Sequence, residues 1–302
     1  KNIRDNRGED IDIYYGLPDP NDISNPKVRA AYTLIQTGKT AGLFQLDSSG
    51  MTQLAERLRP DSFGDLSALI ALYRPGPMGA DMHNKSAARK NGRESIDYGI
   101  YSDDKTEQEW IAKVLHKTYG TFVYPEQLMD LGTIYAGFDA IWRNKLRKAT
   151  AKKQQHLLDA VGEQWFANFD KEFYNEDGEL ISPKFSRRSA EIMWQMMQKS
   201  SEYLFNKAHS SAYGKLTFVT AYLKANYPAE YGAAILSATD LGKADKRRLA
   251  FSALREEGIE ILPPDVNRSR SRTFPFDEST VIIGLSEIKG VGTVASSIIA
   301  ER

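Results

Sequence analysis

Proline and glycine punctuation, set between apolar runs of helical spacing, restricts the fold of this sequence more than any other feature. Apolar residues recur three and four apart in one segment after another, and each run halts at a residue that a helix cannot carry through. Asn25-Pro26 can cap and start a helix that runs through Val28, Ala31, Tyr32 and Leu34 to Gly38. Leu66, Leu69, Ile70 and Leu72 keep the same spacing until Tyr73-Arg74-Pro75-Gly76-Pro77, where the helix must stop near Arg74 and a rigid turn follows. Residues 80–113 carry a weaker, polar pattern that predicts loops and short helices. Helices are predicted again over residues 126–136, 142–159, 189–199, 212–226 and 228–238. The expected fold is mainly α.

The texture changes near Leu241. A charged helix over 245–257 ends at Gly258, residues 259–262 read as a short strand halted by Pro263-Pro264, and residues 281–283 are β-branched. Residues 284–302 read as helix, glycine turn, helix. The chain is therefore divided into a helical core, 1–240, and a small α+β C-terminal lobe, 241–302, ending in a helix-hairpin-helix-like segment.

With 302 residues and 41% hydrophobic content the chain can bury a substantial core. Its 40 basic and 40 acidic side chains cancel, so bulk charge gives no warrant for nucleic-acid binding and any such case rests on where the cations cluster. Absence of cysteine excludes disulfides, thiolate zinc sites and thiol catalysis, and suits a reducing compartment, with cytoplasm as the default. Residues 1–15 are charged and unstructured in character, without the apolar core of a signal peptide, and no later stretch is long enough to span a bilayer. Both ends look cut, which reads as a fragment.

Four constellations could carry chemistry. The run Arg143-Asn144-Lys145-Leu146-Arg147-Lys148-Ala149-Thr150-Ala151-Lys152-Lys153 holds six cations and no acid, a self-repelling helix that an anion such as a triphosphate or a phosphodiester would relieve; the plain alternative is a solvated basic face. Phe205-Asn206-Lys207-Ala208-His209-Ser210-Ser211-Ala212-Tyr213 places a cation, an imidazole, two hydroxyls and two rings at the start of a helix, where backbone N–H groups favour phosphate. The alternative there is that Ser210 or Ser211 caps the helix while His209 and Tyr213 fill its first turn. Arg74 sits on a stiff turn that would bind an anion at low entropic cost, or would pair with a nearby carboxylate. Ile288-Lys289-Gly290-Val291-Gly292 resembles a helix-hairpin-helix turn whose amides approach DNA phosphate, or else is an ordinary interhelical turn. The paired acids Glu9-Asp10, Asp103-Asp104 and Glu256-Glu257 lie in polar contexts and are assigned no catalysis, and the four histidines lack metal-binding spacing.

Taken in order, Gly42 to Met51, Tyr73 to Pro77, Thr118-Tyr119-Gly120 with Tyr124-Pro125-Glu126-Gln127, Phe205 to Tyr213, Leu223 to Glu230, Ile261 to Asn267 and Ile288 to Gly292 resemble the bacterial DNA polymerase III alpha subunit family, the C-family replicative DNA polymerases. The resemblance implies a multi-helix fingers domain that receives the incoming dNTP and contacts primer-template DNA. It implies dNTP contacts from Arg147, Lys148 and Lys207, to which the residues add Arg74, with His209 beside the sugar, where its ring would exclude a ribose 2′-hydroxyl. DNA contacts fall to Lys289, Gly290 and Gly292. It also implies that the metal-binding aspartates and their Mg²⁺ belong to a palm outside this chain, so that no catalytic or metal-ligating residue is assigned here and the fragment alone is inactive. Palm and thumb of the parent chain, and a sliding clamp through regions outside this chain, are the implied partners; a membrane is not. The competing reading is a non-catalytic DNA-binding or replisome-interaction module built on the hairpin. Three departures from the family pattern, at residues 200–204, at Arg147-Lys148-Ala149-Thr150-Ala151 and at Pro125, mark a divergent branch, phage-encoded or a specialised paralogue.

Overall fold

The structure, a computed structural model, describes residues 1–152 and 154–301. In chain order its helices and strands are α1 (Asn2–Arg7), α2 (Pro26–Gln36), α3 (Ser49–Leu58), α4 (Phe63–Leu72), α5 (Pro75–Gly79), α6 (Met82–Lys90), α7 (Lys105–Leu115), α8 (Pro125–Ala136), α9 (Ala140–Lys152), α10 (Gln155–Asn168), β1 (Phe173–Tyr174), β2 (Leu180–Ser182), α11 (Arg187–Ser200), α12 (Lys207–Asn226), α13 (Pro228–Ala238), α14 (Ala244–Glu256), β3 (Glu260–Leu262), β4 (Phe274–Pro275), β5 (Thr280–Ile282) and α15 (Thr293–Ala300). The mainly helical expectation holds. Two compact units form, one of Gly64–Gly214 and one of Lys1–Phe63 with Lys215–Arg302.

The Gly64–Gly214 unit is organised around α8. Tyr135 on α8 stacks between Trp165 of α10, 4.7 Å between ring centres, and Phe185, 3.8 Å, and its hydroxyl lies 2.8 Å from Ser189 Oγ. Stacked rings of this size bury large apolar areas and fix one packing arrangement. Leu128, Leu131, Leu146, Val161, Met193 and Met197 complete the core. Gly137 caps α8 with a left-handed φ of 61°, and a Cβ there would lie 2.4 Å from the Phe173 ring, so only glycine lets α8 fold back into α9 beside β1.

The other unit packs α13 and α14 over a three-stranded sheet of order β3-β5-β4, in which β3 runs parallel and β4 antiparallel to β5. Ala229, Ala233, Leu236, Leu254, Ile259, Val281 and Ile283 form its core. Two buried ion pairs fasten the periphery. Lys224 Nζ lies 2.8 Å from Glu257 and also donates to the carbonyls of Lys39 and Ala41. Arg7 Nε lies 2.6 Å from Glu230, whose side chain is 1% exposed.

Several elements differ from expectation, each for a local reason. Residues 1–15 are not without structure: α1 forms and is anchored by the Arg7–Glu230 pair. Pro75 stops α4 but then occupies the first turn of the short helix α5, where its missing N–H costs nothing. The expected helix over 142–159 is two helices, α9 ending at Lys152 and α10 starting at Gln155, with Gln154 extended at the start of α10. The hairpin β1–β2 went unforeseen. The first arm of the C-terminal helix–turn–helix is a single 3₁₀ turn, Leu285–Glu287, and Arg302 lies outside the described residues. Among the described residues no helix is long and apolar enough to cross a membrane.

Candidate functional site

Arg74 ends the α4 segment with an extended backbone, and its side chain turns back on the chain. Nε donates to the Ala71 carbonyl (2.9 Å) and an Nη donates to the Tyr203 carbonyl (3.0 Å), while the guanidinium carbon lies 4.2 Å from the centre of the Phe205 ring. Carbonyls and a ring hold the group without neutralising it. Among the described residues no carboxylate pairs with it, and burial lowers its affinity for the proton. Of the two readings of Arg74 open in the sequence, the carboxylate pair is not the one formed.

The Phe205 ring continues the stack. His209 meets its edge at 5.4 Å between centres, and Tyr213 lies 4.2 Å beyond His209. The His209–Tyr213 spacing follows from helix geometry, since positions four apart share one face of α12, whereas Phe205 precedes the helix. The segment is held in place where Phe205 N donates to Val123 O (2.9 Å), just before α8. Asn206, not a serine, caps the helix: its side chain accepts from His209 N at 3.0 Å. Helix α12 therefore begins five residues earlier than the expected residue 212, and His209 is a first-turn residue with an exposed ring. Lys207 and Ala208 carry first-turn N–H groups with no acceptor inside the helix.

A layer of hydroxyls supports this turn. Ser210 is fully buried and donates to Lys207 O (3.0 Å), and Ser67 of α4 donates to Ser211 (3.2 Å). The Tyr124 hydroxyl is hydrogen-bonded to both Ser67 and Ser210, and burial pushes its pKa up to about 12. Lys207 Nζ lies 5.7 Å from the centre of the Tyr124 ring and is exposed. Tyr124 and Asn206 stand within the sequence motifs with no role legible there beyond two signals, a tyrosine before a helix-starting proline and an asparagine before a helical lysine.

The basic helix α9 buries Leu146, Ala149 and Thr150 and exposes Arg147 and Lys148. Its cations are not equivalent. Arg143 is consumed by Asp130 (2.7 Å) and Thr133 (2.9 Å) of α8, and Lys145 lies over Trp142 at 3.8 Å. Among the described residues Arg147 reaches only Asn144, at 2.9 Å. Lys153 and the Lys152 side chain, the last cations of the run, lie outside the described residues. The structure thus joins Arg74, Phe205, His209 and Tyr213 in one array beside Lys207, with Val123, just before α8, holding that segment at Phe205. Among the described residues no hydrogen bond, ion pair or ring contact links Arg147 or Lys148 to that array.

Lys289, Gly290 and Gly292 belong to the other unit. Gly290 has φ 93°, a left-handed conformation that favours glycine, and Gly292 precedes α15. All three are exposed and line a groove of about 1200 Å³ that also takes in Arg247, Arg248 and Arg255 of α14. Arg247 is spent on Glu287, 2.7 Å away.

Each acidic pair contains at least one member with structural work. Glu9 accepts from Tyr227, Asp104 caps α7, Asp103 pairs with Arg188, and Glu257 pairs with Lys224. Among the described residues no group of three histidine or carboxylate side chains could hold a metal ion, so the residues present do not fit an Mg²⁺ site.

Comparison with known proteins adds independent findings. Residues 1–172 match the family described as bacterial DNA polymerase III alpha subunit finger domain, and residues 258–302 match a helix-hairpin-helix motif. The chain is 36% identical over 300 residues to DNA polymerase III subunit alpha of Aquifex aeolicus, covering 99% of this chain and 23% of that protein. It is 36% identical over 302 residues to that of Mycobacterium tuberculosis, covering 100% and 23%, and 35% identical over 277 residues to that of Campylobacter jejuni, covering 91% and 21%. The chain thus spans less than a quarter of the length of these curated relatives.

Proposed function

We propose that this chain, which belongs to the bacterial DNA polymerase III alpha subunit family and matches its finger domain, binds the incoming dNTP and primer-template DNA for a DNA-directed DNA polymerase of which it is one part. One observation carries the nucleotide reading: an un-neutralised Arg74 is stacked on Phe205 and continued by His209 and Tyr213, beside Lys207 and the open N–H groups of α12. A triphosphate fits cations and helix-start amides, a deoxyribose fits against the exposed His209 ring, and Arg147 and Lys148 supply further charge from α9. Residues 1–240 would serve the nucleotide, and 241–302 the DNA through Lys289, Gly290 and Gly292.

The chemistry of nucleotidyl transfer is assigned to parts of the parent polymerase outside this chain, where palm aspartates would hold Mg²⁺. This chain's share is to place the triphosphate and offset its charge, through contacts worth on the order of 2–4 kcal/mol each when preorganised. The test is direct titration with a dNTP and with the matching ribonucleotide. The expected result is binding of the dNTP in preference, with His209→Ala narrowing the preference; an unchanged preference would remove His209 from the sugar site. Primer extension by the chain alone should give no product.

The helix-hairpin-helix match favours a second reading, a non-catalytic DNA-binding module. Duplex affinity that survives Lys207→Ala and Arg147→Ala but vanishes with Lys289→Ala, in a chain without dNTP affinity, would establish it.

A further inference from the structure

The run Asn267-Arg268-Ser269-Arg270-Ser271-Arg272 alternates cations with serines, and the structure fixes which faces inward. Ser269 is buried, donates to Ile283 O at 2.8 Å and accepts from Asp265 N at 2.9 Å. The Ser271 hydroxyl lies 2.7 Å from that of Ser296, itself buried in α15. Leu285 N donates to Arg270 O (3.0 Å) and Ser286 N to Ser271 O (2.9 Å), so the backbone is held as well. With both serines committed inward, Arg268, Arg270 and Arg272 are exposed.

Two of these guanidiniums are held over aromatic rings. Arg268 lies 4.9 Å from the centre of the Phe276 ring and Arg270 lies 4.5 Å from that of Phe274. A guanidinium held over a ring keeps its edge donors available and has already lost part of its rotamer entropy. Phe276 is 52% exposed. Among the described residues no carboxylate pairs with the three arginines; Asp5 lines the same cleft of about 440 Å³, and Asp277 is occupied by Ser279 N at 2.8 Å. The cations at alternate positions therefore face solvent with an excess of positive charge.

We propose that this strip binds single-stranded nucleic acid, Arg268 and Arg270 taking backbone phosphates and Phe276 stacking on an unpaired base. Cations on an immobile backbone favour a polyanion, and an exposed ring beside them selects a strand whose base faces are open, which a duplex does not offer. The Ser271–Ser296 contact fastens the strip to α15, the second arm of the helix-hairpin-helix. The site does not depend on the dNTP reading and is separate from Lys289.

Fluorescence anisotropy with a labelled oligothymidylate and with a duplex of equal length, over a salt series, tests it. Arg268→Ala/Arg270→Ala should lower single-strand affinity at least about tenfold at low salt and flatten the log–log salt slope by about 1.4, at roughly 0.7 per phosphate contact. Phe276→Ala should lower it about tenfold with the slope unchanged, and Phe276→Trp should restore it. Lys289→Ala should spare single-strand binding. These side chains are exposed, and unchanged melting temperatures would show that the variants fold. Undiminished single-strand affinity in the double arginine variant, equal losses for duplex and single strand, absence of single-strand binding by the parent chain, or preferential binding of an acidic peptide would each overturn the proposal.

Discussion

The guanidinium carbon of Arg74 lies 4.2 Å from the centre of the Phe205 ring, which ties the end of α4 to the start of α12. The contact keeps a cation in place without an acid to neutralise it, and it aligns the ring that His209 packs against. Stability and ligand affinity both draw on this contact, and they can be separated.

Arg74→Ala should weaken dNTP binding by about 2 kcal/mol, about thirtyfold, the scale of a hydrogen bond to a charged group. Arg74→Lys should recover only part of this, because an ammonium cannot reproduce the planar stack and the fork of donors. Calorimetric titration of both variants with a dNTP, beside their melting curves, checks it; equal affinity for all three proteins would exclude Arg74 from the site.

Asn206→Ala should destabilise the chain by about 1 kcal/mol through loss of the cap on His209 N, and Asn206→Ser should recover most of it. Ser211→Ala should cost only about 0.5 kcal/mol, the loss of one neutral hydrogen bond to Ser67. Urea unfolding of the three variants measures the order, and a larger loss for Ser211→Ala would return the cap to the serines.

Gly137→Ala should cost about 2–4 kcal/mol, since it combines a left-handed φ with a Cβ forced onto the Phe173 ring. The same change should shift α9 against α8. Accordingly Phe173→Ala, harmful alone, should be partly compensating in the double variant, which a double-mutant cycle detects.

Alkaline pH should destabilise the chain. Burial pushes Tyr101 and Tyr124 up to about 12 from an ordinary value near 10, so the folded state holds their protons more tightly than the unfolded state. Each contribution, up to about 2–3 kcal/mol, is fully present below pH 10 and is lost as pH rises from 10 through 12. Melting temperatures measured across that interval should fall, and Tyr124→Phe should make the fall shallower.

Much of the helical framework was legible because its signals are local. The Asn25-Pro26 start of α2 and the periodic apolar face of α11 are written within a few residues. The hairpin of β1 and β2, strands of two and three residues, was not, being too short to show a period. The site was legible as a set of motifs, and its internal assignments were not: whether Asn206 or a serine caps α12, and whether Arg74 meets an acid or a ring, depend on residues far away along the chain.

By itself, the sequence determined the mainly helical character, the places where helices must stop, and a family likeness carried by several motifs in order, because backbone propensity and 3.6-residue periodicity act over single turns of chain. Only the tertiary structure decided which cations are spent and which remain open. Arg143 is paired with Asp130 and Arg247 with Glu287, while among the described residues no carboxylate pairs with Arg74, Lys207 or the arginines of the 268–272 strip. Charge neutralisation falls off with distance in space, not in sequence, so folding had to bring each partner within reach before the free cations could be told from the paired ones.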